Sequence, residues 1–83
     1  MSTLETLRGL LHRDFDLPLE KLDRGATLED LEIDSLRMIE ILFSVEETFK
    51  ITVSADQAEL KARLRTLGDL VDYVDSLVAA RPA

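Results

Sequence analysis

Cysteine is absent from the chain, and that excludes disulfide staples, thiolate metal sites and any thiol chemistry native to the polypeptide. A single histidine, His12, leaves no Ser-His-Asp set and no multi-histidine metal site. Three scattered glycines, Gly9, Gly25 and Gly68, do not make a phosphate-cradling loop. No apolar run approaches the roughly 20 residues that span a bilayer. The N-terminus, Met1-Ser2-Thr3-Leu4-Glu5, has neither the basic segment nor the apolar stretch of a signal peptide. These absences point to a cytoplasmic domain that is not an enzyme, holds no metal and does not insert into membranes. Its 83 residues suffice for one core, so a single domain over residues 1–83 is expected, with residues 80–83 as a frayed tail.

Positive charge is scarce in one place. Residues 28–49 carry seven acids (Glu29, Asp30, Glu32, Asp34, Glu40, Glu46, Glu47) against Arg37 alone, and account for nearly all of the net charge of −7. A field of this sign repels nucleic acid and steers basic protein surfaces inward. Asp30, Glu32 and Asp34 alternate like the ligands of a calcium loop, but the glycine such a loop needs is Ser35 and its closing glutamate falls on Ile41.

What the chain does have is helical periodicity. Ser2 and Glu5 fit a capping box before the apolar stripe Leu4, Leu7, Leu10 and Leu11. This helix should end near Asp14–Leu17, ahead of Pro18. A long irregular connection follows, with leucines at 17, 19, 22, 28 and 31 expected to pin it to the bundle. A second helix should start at Asp34 or Ser35 and run to about Phe49, burying Met38, Ile39, Leu42, Val45 and Phe49. Ile51-Thr52-Val53 is extended. Ser54 or Asp56 should cap a short third helix through Leu64. Thr66-Leu67-Gly68-Asp69 is a second capping box that opens a last helix with Leu67, Leu70, Val71, Val74, Leu77 and Val78 inside. The predicted fold is all-α, a small four-helix bundle of three long helices and one short, with a long loop between the first two. His12 is expected on the surface of the first helix. Phe43 is placed near the mouth of an inter-helix pocket by its spacing.

Ser35 is where constraints converge. It sits at a helix N-terminus, where unpaired N–H groups and the macrodipole favour a phosphate ester. Asp34 precedes it and the apolar Leu36 follows. The plain alternative is that Asp34 or Ser35 only caps the helix.

The order Leu28-x-x-Leu31-x-Ile33-Asp34-Ser35-Leu36-x-Met38-Ile39-Glu40-Ile41, then Val45-Glu46-Glu47-x-Phe49, resembles the acyl carrier protein family. Ile51-x-Val53 and Thr66-Leu67-Gly68-Asp69-Leu70-Val71-Asp72-Tyr73-Val74 are similar to its later segments. The resemblance implies that Ser35, preceded by Asp34, carries a covalent 4′-phosphopantetheine, installed from coenzyme A by a phosphopantetheinyl transferase with Mg²⁺. The arm's thiol then forms thioesters, and the domain presents acyl intermediates of fatty acid, polyketide or related lipid synthesis to enzymes with basic docking surfaces. Leu36, Met38, Glu40, Glu46 and Glu47 match positions that such partners contact, and the carrier is expected to be a monomer. A free-standing aminoacyl or peptidyl carrier shares the same serine, and an unmodified helical adaptor is the alternative from another class. Three departures stand out. Glu32 replaces a usual glycine, which implies a looser turn before Ser35. Arg37 replaces a frequent acid and puts a positive charge in the partner-facing surface. The stretch from Val53 to Thr66 is a few residues longer than usual.

Overall fold

The computed structural model describes residues 2–53 and 62–80. Three helices lie wholly within the described residues, α1 (Thr3–Phe15), α2 (Ser35–Phe49) and α3 (Leu67–Ala80), with a 3-10 turn at Leu19–Lys21 inside the long α1–α2 loop. The described residues contain no strand, only an isolated bridge between Thr27 and Thr66. This is the all-helical fold with the long first loop that the periodicity predicts. The predicted short helix from Ser54 or Asp56 to Leu64 lies mostly outside the described residues. Ala62 and Arg63 are helical, and Leu64 follows them out of the helix. Ala80 still belongs to α3, and the remainder of the expected frayed tail lies outside the described residues.

Local chemistry sets the helix ends. The Ser2 hydroxyl accepts the Glu5 N–H at 3.1 Å and caps α1. At the other end Asp16 turns left-handed, and its N–H and that of Leu17 both bond the Leu11 carbonyl, a closure that satisfies an otherwise orphaned acceptor. His12 is exposed, and its Nδ1 lies 2.8 Å from the Leu17 carbonyl. A carbonyl only accepts, so the ring donates there. At the start of α3 the capping box is reciprocal. The Thr66 hydroxyl accepts the Asp69 N–H at 3.1 Å, and the Asp69 carboxylate accepts the Thr66 and Arg65 N–H groups at 3.2 and 3.1 Å. Those backbone bonds, from Arg65 first and then Thr66, hold the Asp69 carboxyl below the usual carboxylate range. With the folded value depressed, this contribution is present above the unfolded pKa and is lost as the pH falls through the folded one.

The core is aliphatic and joins all three helices. Leu7, Leu10 and Leu11 meet Ile41, Leu42 and Val45 of α2 and Leu67, Leu70, Val71 and Val74 of α3 in one cluster. Two residues of the expected buried stripe of the second helix, Ile39 and Phe49, are only half-buried, whereas Ile41, outside that stripe, is fully buried. The run Met38-Ile39-Glu40-Ile41-Leu42 is apolar at four of five positions, so the stripe faces the core through 38, 41, 42 and 45. In the loop, Leu22, Leu28 and Leu31 are buried and Leu17 packs against the core, but Leu19 is 40% exposed on the 3-10 turn.

The loop is stitched to α3 rather than laid loosely on the bundle. Leu28 N–H donates to the Arg65 carbonyl at 2.9 Å, Leu67 N–H to Ala26 at 2.8 Å, and Gly68 N–H to Arg24 at 2.9 Å. The Arg24 guanidinium also pairs with Asp72 at 2.9 Å. Gly68 is what lets the chains approach so closely. A Cβ there would lie 2.9 Å from the Arg24 carbonyl oxygen, whereas a Cβ at Gly9 on α1 meets nothing within 4 Å. Helix propensity alone favours alanine at both positions, by about 1 kcal/mol. We therefore expect opposite signs in thermal or denaturant unfolding. Gly9→Ala should stabilise by up to about 1 kcal/mol, and Gly68→Ala should destabilise by about 1–3 kcal/mol because backbone must move.

Candidate functional site

After its bonds to α3, the chain makes one more turn before α2. Glu32 N–H donates to Glu29 at 2.9 Å and Ile33 N–H to Leu28 at 2.9 Å. Closing this turn puts Glu32 at φ 59°, in the left-handed region. The turn is therefore tight, contrary to the expectation that an acid at this position loosens it. Glutamate takes the backbone conformation that glycine adopts without steric cost.

Asp34 is the N-cap of α2. Its backbone is extended and its carboxylate accepts the Arg37 N–H at 2.8 Å. The capping role thus falls to Asp34, and Ser35 is the first helical residue, exposed at the positive end of the helix. Next to it Leu36 projects with 66% of its surface exposed. Arg37 is exposed as well, but its guanidinium carbon stands 5.7 Å from the centroid of the Phe15 ring, so the cation packs on the end of α1.

Ser35 lies on a half-open cleft of about 950 Å³ between the loop, the start of α2 and the segment before α3. Leu28, Ile33, Met38 and Leu64 supply apolar lining, Glu29, Glu32 and Asp34 supply carboxylates, and Arg65 supplies a cation. The structure brings Asp34, Ser35 and Met38 together on this cleft. It separates the other marked residues. Glu40 and Glu47 are exposed further along α2. Glu46 is half-buried, with its carboxylate accepting the Val53 N–H at 3.2 Å. Met38 is 7% exposed and belongs to the core, so it meets the outside through the cleft and not as a surface contact. Phe43 does not line the cleft. It is 65% exposed, because position 43 falls on the side of α2 opposite Ile41, Leu42 and Val45. Arg65 is a lining residue that carries no local signal in the sequence.

The chain matches the family described as Phosphopantetheine attachment site over residues 5–74. An acyl carrier protein of Thermosynechococcus vestitus is 31% identical over 78 residues, 93% of this chain and 93% of that protein. An acyl carrier protein of Exiguobacterium sibiricum is 42% identical over 50 residues, 60% of either chain. A non-reducing polyketide synthase of Preussia isomera is 34% identical over 71 residues, 86% of this chain but 3% of the synthase. The chain thus spans less than two thirds of the last two relatives. With a cleft, a helix N-terminus and an exposed serine at their junction, the chain belongs to the phosphopantetheine-attachment family. It is a carrier domain similar to acyl carrier proteins, not a catalyst, and its prosthetic group is a 4′-phosphopantetheine held covalently on a serine. Among the described residues no helix is long and apolar enough to cross a membrane.

The left-handed Glu32 carries a testable cost. A non-glycine residue in that region is disfavoured by about 1–2 kcal/mol, partly offset by the greater freedom glycine has in the unfolded chain. Glu32→Gly should raise stability by about 0.5–1 kcal/mol, while Glu32→Ala, which removes the same charge but keeps the strain, should not. Equal melting temperatures for the two variants would assign any gain to charge rather than backbone.

Proposed function

We propose that Ser35 is the serine that carries the arm, and that the domain shuttles acyl thioesters among enzymes of fatty acid, polyketide or related lipid synthesis. One observation supports this best: Ser35 opens α2 at the mouth of a cleft with apolar lining. The other described serines are differently employed. Ser2 caps α1, Ser44 is half-buried in the middle of α2, and Ser76 borders a smaller hollow of about 260 Å³ on α3. Attachment forms the Ser35 Oγ–P bond as the pyrophosphate bond of coenzyme A breaks. The hydroxyl proton goes to a base of the separate transferase, and the nucleotide bisphosphate leaves. The arm supplies the thiol that this cysteine-free chain lacks, and its cargo has an apolar surface within reach along Leu28, Ile33, Met38 and Leu64.

Docking belongs to the outer strip of α2. Leu36, Glu40, Phe43 and Glu47 follow at spacings of four, three and four, which aligns them on one helix face. Leu36 and Phe43 are the apolar part, 66% and 65% exposed. The partners this face fits have an apolar socket rimmed by lysine and arginine, and their association weakens with salt. Glu46 contributes less to this face, since its carboxylate holds the Val53 N–H. The reading is of a monomeric, cytoplasmic carrier over residues 1–83. An aminoacyl carrier is the second reading, favoured by Arg37 at a position where an acid is frequent in acyl carriers.

Intact-protein mass spectrometry tests the assignment. Incubation with coenzyme A, Mg²⁺ and a broad-specificity phosphopantetheinyl transferase should add one phosphopantetheine to the wild-type chain and none to Ser35→Ala. No addition to the wild type, or addition that survives Ser35→Ala, would reject it. Exclusive loading of the modified protein by an amino-acid ligase would move the cargo to the second reading.

A further inference from the structure

Arg65 is the basic residue among the described lining of the cleft. Its backbone is fixed from both sides: its N–H donates to the Asp69 carboxylate at 3.1 Å and its carbonyl accepts the Leu28 N–H at 2.9 Å. The preceding residue, Leu64, is buried at 6% exposure. The side chain starts from this rigid point and is exposed. Other arginines are engaged. Arg8 bonds the Leu19 carbonyl, Arg13 pairs with Asp14, Arg24 pairs with Asp72, and Arg37 packs on Phe15. The Arg65 guanidinium makes no hydrogen bond or ion pair with the described residues. The described lining of the cleft, to which Arg65 contributes this cation, also includes Glu29, Glu32, Asp34 and Ser35.

A phosphodiester on Ser35 brings a further negative charge to a mouth that already holds three carboxylates. We infer that the Arg65 guanidinium pairs with the phosphodiester of the Ser35-linked arm and offsets that repulsion. The inference rests on the assignment of Ser35. The phosphodiester is a better partner for Arg65 than an anion on the cargo. It is tethered at the cleft mouth in every loaded state, while the cargo rides at the end of a flexible arm. Its two non-bridging oxygens also suit the planar fork of a guanidinium, which binds phosphate bidentately where lysine offers a point charge. Asp69 lies within electrostatic range of Arg65, but its carboxylate is already held by the Arg65 and Thr66 N–H groups and forms no ion pair with the guanidinium.

The test compares apo and arm-bearing forms of wild type, Arg65→Gln and Arg65→Lys at low salt and neutral pH. Arm-bearing wild type should show a shifted Arg65 Nε–Hε NMR signal relative to apo. Its phosphorus resonance should differ from that of arm-bearing Arg65→Gln. The melting temperature of the arm-bearing form, relative to apo, should fall further in Arg65→Gln than in wild type, by about 1–4 °C for an exposed pair in a domain of this size. Arg65→Lys should recover part of the difference. Arm attachment at Ser35 with identical phosphorus resonances and identical apo-to-loaded shifts in wild type and Arg65→Gln would overturn the Arg65 contact alone. A wild-type chain that takes no arm at Ser35 would overturn the assignment of the serine, and the contact with it.

Discussion

The structure depends on the seam between the first loop and the opening turn of α3. The first N–H groups of any helix lack partners within it. Here the Arg24 and Ala26 carbonyls accept the Gly68 and Leu67 N–H groups, and the Thr66 hydroxyl accepts that of Asp69. The loop therefore completes the helix, and the helix in turn fixes the loop. Gly68 makes the seam possible, since any side chain there meets the Arg24 carbonyl. The Leu28 bond to Arg65 continues the seam to the point where the chain turns toward α2. From there one short turn delivers Asp34 as a cap and Ser35 as the first helical residue.

The cleft is a consequence of the same seam. Leu28 and Leu64 come from opposite sides of it and both are buried, and Met38 reaches them from the first turns of α2. Thus the apolar cleft, Ser35 at its mouth and Arg65 in its lining are positioned by one set of backbone bonds. The outer face of α2 is mechanically separate. Leu36, Glu40, Phe43 and Glu47 are exposed and none of them lines the cleft, so side chains on this face can vary without disturbing it. Arg37 stands between the two regions, its charge directed onto Phe15.

The helices were legible because their signals are local. Ser2 with Glu5 and Thr66 with Asp69 are caps written within four residues, and the Ser2 and Thr66 hydroxyls accept the N–H groups of Glu5 and Asp69. Before α2, where Asp34 or Ser35 was the candidate cap, the capping oxygen belongs to Asp34 and Ser35 is inside the helix. The register of α2 was less legible. With Met38, Ile39, Ile41 and Leu42 nearly contiguous, periodicity does not separate the fully buried Ile41 from the half-buried Ile39. Leu19 and Phe43 show the limit of hydrophobicity as a guide, since both are apolar and both are exposed. The cleft could not be read locally at all. It needs Thr27 beside Thr66 and Leu28 beside Arg65, pairings between distant segments that leave no periodic trace. Glu32 gave a sign only through the resemblance, where a glycine is usual; its left-handed φ is the physical reason for that preference.

Amide hydrogen exchange measures the seam directly. If the loop is an integral part of the fold, the N–H groups of Leu28, Leu67 and Gly68 should exchange as slowly as those of Leu42 and Leu70 in the core helices, opening only with the whole domain. Exchange of all three at the rate of the exposed 3-10 turn, while Leu42 and Leu70 stay protected, would contradict the account and leave Ser35 without the support from which its role is argued.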